Sequence, residues 1–308
     1  MNAAVEVSNL VVGYKKTEIL KGISFNIDEG TIVGYLGPNG AGKTTTILTL
    51  LGILKPWSGY VKIFGMNVLK KSTEAKQLIA VAHQEATGDP FLTVEENIYL
   101  YQRLRGIPKK RAKIKTEEYI KSFNLEEHRR KLFLELSPGL AKKVQVARCL
   151  ASVTESTRLI ILDEPTAGSD PSFKLKLWNI IKTLKEDGKT IILTTHNMED
   201  VENLCDKIIF IKNGKIIFDG ALSDLKSNFR IDRLYRIKCG FPKQFLQKVK
   251  VLGFNVTRVE NNEIYFETPT QYKISELASL FEECIVEEIG YAGKDLNEIF
   301  VELVEGEK

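Results

Sequence analysis

Residues 31–54 read TIVGYLGPNGAGKTTTILTLLGIL, and within them GPNGAGKT, residues 37–44, fits the pattern GxxxxGK[ST]. An apolar run precedes it and an apolar, helix-competent run follows. The expected local structure is therefore a buried strand, a glycine-rich loop and a helix. Glycines let backbone N–H groups turn inward around phosphates, and the helix N-terminus adds the positive end of its dipole. Lys43 is placed to reach β- and γ-phosphates, and Thr44 to ligate Mg²⁺ through its hydroxyl. The phosphate-binding stretch is read as Gly37, Pro38, Asn39, Gly40, Ala41, Gly42, Lys43, Thr44 and Thr45.

A second strand supports this loop. RLIILDEP, ending at Pro165, is a continuous apolar run closed by Asp163 and Glu164, as expected of a central parallel strand. Carboxylates at the C-terminal end of such a strand lie beside the nucleotide loop. One can hold the Mg²⁺ shell while its neighbour activates water. KTIILTTH, ending at His196, reads as another buried strand.

Outward from these strands, AVEVSNLVVGY and ILKGISFNI read as N-terminal strands and VKIFG as a further one. Thr93 and Glu96 form a capping box that opens charged, helical-looking sequence running to about Glu135, an α-helical insertion. Residues 171–187 read as helix, and KIIFIKNGKIIFDG as a hairpin turning at Asn213-Gly214. After about residue 222 the pattern restarts as β-α-β-β-α-β, with a hairpin at Asn261 and Asn262, and DLNEIFVELVE closes as a helix. That order is the split βαβ arrangement of a ferredoxin-like domain.

Bulk properties bound the rest. The 308 residues suggest two domains, and 43% apolar with 27% charged residues is ordinary for a globular chain. The net charge of +4 does not by itself indicate nucleic acid. Cys149, Cys205, Cys239 and Cys284 are scattered, with no CxxC pair, and are expected to be core thiols in a reducing compartment. MNAAVEVSNL lacks a basic and then apolar leader, so no signal peptide is expected, and no apolar run approaches a membrane span. The basic cluster KKRAKIK, residues 109–115, lacks interleaved aromatics and is followed by acids, so a solvated helix face is expected, not a nucleic-acid contact.

At this point the sequence strongly resembles the nucleotide-binding domain of ATP-binding-cassette (ABC) proteins, over about residues 3–220. Its motifs stand in the family's order: Tyr14 in VVGYKK, the phosphate loop, Gln84 in VAHQEA, a signature segment starting at Ser137, Asp163-Glu164, a D-loop TAGSD ending at Asp170, and His196. The resemblance implies a P-loop NTPase (RecA-like) α/β core with an N-terminal antiparallel β subdomain and an α-helical insertion at about 90–145. Residues 1–221 would form this domain and 222–308 the α+β accessory domain. It implies ATP and Mg²⁺ as ligands. Two such domains pair head to tail, with ATP between the loop of one and the signature of the other. Tyr14 would stack on adenine, and Glu164 would be the general base. Asp163, through water, would hold Mg²⁺ together with Thr44. Gln84 would sense metal and water, and His196 would meet the γ-phosphate. Ser137, Gly139 and Asp170 would act across the dimer. His83 and His128 are expected to carry no chemistry.

The signature departs from the family's LSGG by reading LSPGL. Pro138 removes one N–H, but its fixed φ suits the first position of a helix, and it pushes Ser137 into the extended conformation of an N-cap. The expected result is a competent but slowed site, with a degenerate half-site in a heterodimer as the alternative. Ser169 also replaces the usual leucine of the D-loop. The segment around Leu296, Glu298, Ile299, Phe300 and Leu303 resembles the tail of drug-resistance-type exporter ATPases. The implied partners are a separate multi-span permease and a second cassette subunit, at the cytoplasmic face of the membrane. A soluble cassette ATPase acting on ribosomes or DNA is the alternative.

Overall fold

In the computed structural model the described residues are 3–228, 233–240, 242–260, 262–282, 284, 286–292 and 296–305. The chain divides into two compact units, Met1–Leu222 and Ser223–Lys308.

The first unit runs β1 (Ala3–Tyr14), β2 (Thr17–Asp28), β3 (Ile32–Leu36), α1 (Lys43–Leu50), β4 (Ser58–Ile63) and β5 (Met66–Asn67). It continues with α2 (Ser72–Gln77), β6 (Ile79–Ala82), α3 (Val94–Leu104), α4 (Lys109–Ser122), α5 (Pro138–Ala151) and β7 (Leu159–Asp163). It ends with α6 (Pro171–Glu186), β8 (Thr190–Thr194), α7 (Met198–Leu204), β9 (Lys207–Lys212) and β10 (Lys215–Ala221).

Two sheets result. The antiparallel one has the order β2-β1-β4-β5 and the larger one β10-β9-β3-β8-β7-β6. Strands β9, β3, β8, β7 and β6 are parallel to their neighbours, while β10 pairs antiparallel with β9 through the Asn213-Gly214 turn, both residues at positive φ. Every residue of β3, β7 and β8 is buried, as their unbroken apolar runs require of strands covered on both faces. One core joins the two sheets: Val5, Leu10 and Phe25 pack with Ile47 and Leu50 of α1 and with Ile161 and Ile192 of the parallel sheet. The chain leaves β3 for the far edge at β6, returns through β7 and β8, and then crosses to β9 on the other side of β3. The loop after β3 therefore lies where the strand order reverses, the usual place for a ligand in an open α/β sheet.

The insertion is not one long helix. Gly106, at φ 81°, and Pro108 separate α3 from α4, Asn124 at φ 54° ends α4, and two short 3₁₀ turns lead to α5. The Thr93/Glu96 capping box forms in full. Strand β6 and the short helix α2 lie in sequence with too few residues for a clear periodicity.

Helix α8 (Leu222–Asn228) begins at the last residue of the first unit, and the second unit goes on with β11 (Leu234–Cys239), α9 (Pro242–Val251), β12 (Asn255–Glu260), β13 (Glu263–Glu267), α10 (Ile274–Leu280), β14 (Val286–Tyr291) and α11 (Leu296–Glu305). Its sheet is antiparallel, in the order β12-β13-β11-β14. Tyr235, Ile237, Phe245, Ile264, Phe266, Leu277 and Phe281 form its own core. Asn262 turns the β12–β13 hairpin at φ 67°, while Asn261 and Asp295 lie outside the described residues.

Candidate functional site

The loop between β3 and α1 is shaped by close approach. A side chain at Gly37 would put its Cβ 2.1 Å from the carbonyl oxygen of Ile211 on β9. Gly42 caps α1 at φ 113°, a backbone that L side chains rarely adopt. Gly214 donates its N–H to Ala41 O at 3.1 Å, so the β9–β10 turn also braces the loop. Lys43 Nζ folds back over it and donates to Gly37 O at 2.6 Å and Pro38 O at 3.2 Å. Burial lowers the Lys43 pKa, opposed by the charges of Glu164 and Asp163.

A cavity lies over this loop. Pro38, Asn39, Gly40, Gly42, Lys43, Thr44 and Thr45 line it from the loop, joined by Gln84, Glu164, His196 and Ile19. Five segments far apart in sequence thus line one cavity with Lys43. Gly37 and Ala41 do not line it: Gly37 is pressed on β9 and Ala41 is buried.

Glu164 follows the last residue of β7 and sits at φ 49°, an uncommon state for a non-glycine residue that costs on the order of 1–3 kcal/mol. Strand β8 holds it there. Its N–H donates to Thr194 O at 3.1 Å and to Thr194 Oγ1 at 3.0 Å. The Thr194 hydroxyl in turn donates to Asp163 Oδ1. Glu164 is 5% exposed, and its Oε1 stands 3.0 Å from Nε2 of His196 but off the line of a well-formed hydrogen bond, so that contact is chiefly electrostatic. Burial raises the Glu164 pKa above the usual carboxylate value, with His196 and Lys43 opposing the shift. A desolvated carboxylate that lines the cavity over a phosphate loop, with one oxygen free of hydrogen bonds, can accept a proton from water.

Among the described residues no group of three or more His, Cys, Asp or Glu gathers as a metal site. The donors near the loop are the Thr44 hydroxyl, the Gln84 amide and, behind the cavity wall, the Asp163 carboxylate. Such a sparse all-oxygen set suits Mg²⁺, which keeps several waters and binds partly through substrate phosphates.

The comparisons fit this geometry. The family model described as ABC transporter matches residues 20–167. The linearmycin resistance ATP-binding protein LnrL of Bacillus subtilis is 31% identical over 296 residues, covering 96% of this chain and 94% of the relative. The chain belongs to the ABC transporter family. A second relative is the daunorubicin/doxorubicin resistance ATP-binding protein DrrA of Streptomyces peucetius, 36% identical over 225 residues, 73% of this chain and 67% of the relative. A solved dimeric ATP-binding cassette in a post-hydrolysis state, bound to ADP and Pi, matches with a TM-score of 0.64 and 28% identity over 71% of this chain and 98% of that one. This ABC chain is an ATP-binding subunit with the family's ATPase fold. Among the described residues no helix is long and apolar enough to cross a membrane.

The other sequence-named residues of the ABC subunit lie outside the cavity. Tyr14 ends β1 at the β1–β2 hairpin and is 46% exposed. Ser137 is the extended N-cap of α5 (φ −63°, ψ 155°), its hydroxyl accepts from Leu140 N at 3.4 Å, and Pro138 occupies the first helical position. Gly139 faces the D-loop: a Cβ there would lie 3.1 Å from Gly168 O. Asp170 caps α6 by accepting from Phe173 N at 2.9 Å and pairs with Lys143. Ser169 Oγ is buried without a hydrogen-bond partner. The three free thiols Cys149, Cys205 and Cys239 are buried, and Cys284 is partly so.

Two residues in the site's surroundings escaped the sequence reading. Asp200, fully buried, accepts from Thr166 Oγ1 at 2.6 Å, Thr195 Oγ1 at 2.9 Å and Trp178 Nε1 at 2.8 Å, with Lys174 Nζ at 3.8 Å. It ties the D-loop and the residue before His196 to α6. Asp200→Ala leaves those donors and part of Lys174's charge uncompensated. The expected loss is about 3–5 kcal/mol of stability, read from the denaturant midpoint at unchanged slope. Its only sequence signal is an acid in the first turn of α7. The second residue, Lys142, is 5% exposed, and burial lowers its pKa to about 8, opposed by Asp163 and Glu164.

Proposed function

We propose that this chain is the ATP-hydrolysing subunit of an exporter, peripheral to the cytoplasmic face of the membrane, and that it powers a separate multi-span permease. The observation that carries the reading is the meeting of Lys43, Glu164, Gln84 and His196 around one cavity over the phosphate loop, while Ser137 at the head of α5 stays exposed and away from it. A site of that kind is completed by the signature of a second cassette subunit. Drug-resistance names among the relatives, one matched over nearly the whole chain, support export.

In this mechanism the loop N–H groups and Lys43 hold the ATP phosphates, and Tyr14 stacks on adenine. Thr44 and Gln84 and, through water, Asp163 would hold Mg²⁺, which would supply neutralisation of the phosphates' negative charge. Glu164 takes the proton of the attacking water. His196 donates to the γ-phosphate and keeps Glu164 oriented. Ser137 and Gly139 of the opposing subunit close the site, with Asp170 at its D-loop. Catalysis of this kind is mainly positioning and charge stabilisation. Residues 1–221 form the cassette. Residues 222–308, with their β-α-β-β-α-β order and central β13-β11 pair, form a ferredoxin-like accessory domain.

Gentle detergent extraction from native membranes, with mass spectrometry of the complex, tests the reading. Recovery of a multi-span permease without a second type of cassette chain is the expected result and would establish a homodimer working with Pro138. Recovery with ribosomes or DNA-bound proteins and no membrane protein would overturn it. In that homodimer, Pro138→Gly is expected to raise ATPase turnover by a few fold at most, roughly within the worth of one weak contact. No gain would mean that the proline does not slow the site.

A further inference from the structure

Helix α5 carries polar side chains on a face that the fold buries. Lys142, Gln145 and Arg148 recur every three residues and so share one side of the helix. All three reach the segment after β6. Lys142 Nζ donates to His83 O at 2.8 Å, Gln84 O at 3.0 Å and Asp163 O at 2.9 Å. Gln145 Nε2 donates to Glu85 O at 2.7 Å and lies 3.4 Å from Thr87 Oγ1. Arg148 Nη2 lies 3.3 Å from Thr87 Oγ1, its guanidinium over the Tyr101 ring. Residues 83–87 are thus hung, backbone first, from successive turns of α5.

Lys142 is the member that also reaches the catalytic strand. An ammonium has three N–H donors, and here all three are used on main-chain carbonyls: two flanking the Gln84 peptide and one at the end of β7, on the residue before Glu164. None of the three acceptors is a carboxylate, so the residue is no ordinary ion-pair partner. Burying a lysine is costly, and a lysine kept in such a place calls for a return in geometry.

We propose that Lys142 is a positioning residue for ATP hydrolysis: it locks the backbone bearing Gln84 to the backbone bearing Asp163 and Glu164, so that both follow the signature helix as one piece. The consequence is directional. The head of α5 is the element offered to the opposing subunit, and a shift of α5 there carries Gln84 and Glu164 with it, without any contact between the signature and its own phosphate loop. Phosphate binding depends on the loop and Lys43, which this clamp does not touch. Alignment of the base and of Gln84 does depend on it. The inference rests on the roles proposed above for Gln84 and Glu164.

The test uses the full-length chain, with ATPase turnover and binding of a fluorescent ATP analogue measured on the same preparations. Lys142→Met keeps the stem and removes the donors. It is expected to lower kcat by at least about tenfold, while the Kd for the analogue stays within about threefold. Lys142→Arg restores donors at the same place and is expected to recover most of kcat. The proposal is overturned if Lys142→Met keeps wild-type kcat, if it loses binding and turnover in proportion, as a merely destabilised protein would, or if Lys142→Arg is no better than Lys142→Met. Glu164→Gln run alongside separates the two ideas. Unchanged turnover in that variant overturns the reading of the site itself. Lost turnover there, with unchanged turnover in Lys142→Met, overturns the positioning role alone.

Discussion

Glu164→Gln is expected to abolish turnover while leaving ATP bound, and at the same time to make the protein more stable. The first half follows from chemistry. A glutamine of the same shape cannot take a proton from water, and loss of a positioned general base costs roughly 10²–10⁴-fold in rate. The binding groups are elsewhere, on the loop and Lys43, so affinity is expected to hold within a few fold. The second half follows from burial, the main cause of the raised Glu164 pKa. A carboxyl whose folded pKa lies above its unfolded one binds more protons folded than unfolded between the two values. Its stability contribution is full below the unfolded pKa and is lost as pH rises through the folded pKa. Glutamine has no charge to desolvate, so the gain in Tm is expected to be larger near about pH 8 than near about pH 5. Thermal melts at the two pH values check it. A gain that shrinks with pH would mean that the pairing with His196 and Lys43, not burial, decides the balance.

Lys43→Met is the complementary case, with binding lost first. Lys43 lines the cavity over the phosphate loop, and its ammonium interacts with the charges of Glu164 and Asp163. Removing one partner of a desolvated charge pair costs about 2–5 kcal/mol, or roughly 30-fold to several thousand-fold in affinity. The loss is expected for both ATP and ADP, read by titration calorimetry, with no measurable hydrolysis at ATP concentrations that saturate the wild type. Fold stability changes little by comparison, because Lys43 rests on two carbonyls of its own loop that water can satisfy. A variant that binds ATP normally would show that the backbone N–H cradle alone holds the phosphates.

The two predictions draw on residues that were legible in the sequence, and the reason is locality. Lys43 and Glu164 sit beside signals their own neighbours create: a glycine pattern opening a helix and an apolar run closed by acids. The capping box at Thr93, the turn at Asn213-Gly214 and the proline-led start of α5 were readable for the same cause, since each is made by residues within a few positions. Lys142 and Asp200 were not. Lys142 follows an exposed signature and precedes another lysine, so it looks like a solvated helix face, and the carbonyls it holds lie 58, 59 and 21 positions away. Asp200 looks like a charge at a helix start, and its burial depends on Trp178 and Thr166 arriving from other elements. The helical insertion was legible as helical sequence, but its division at Gly106 and Pro108 was not, because both stand in strongly charged sequence whose helix propensity masks the break.

The order of strands has a bearing on how the molecule is made. Strand β3 is complete by Leu36, yet both of its neighbours, β8 and β9, are synthesised more than 150 residues later. At about 5–20 residues per second, the fully apolar β3 waits roughly ten to thirty seconds for partners on either edge. The nascent chain can assemble β1, β2 and β4 early, but the parallel sheet cannot close until Lys212 has left the ribosome tunnel. Such late, long-range pairing is slow and leaves apolar edges open to wrong partners. Expression of this subunit is therefore the stage at which chaperone supply matters most, and chains stopped short of β9 would be cleared by proteases instead of accumulating as a smaller folded cassette.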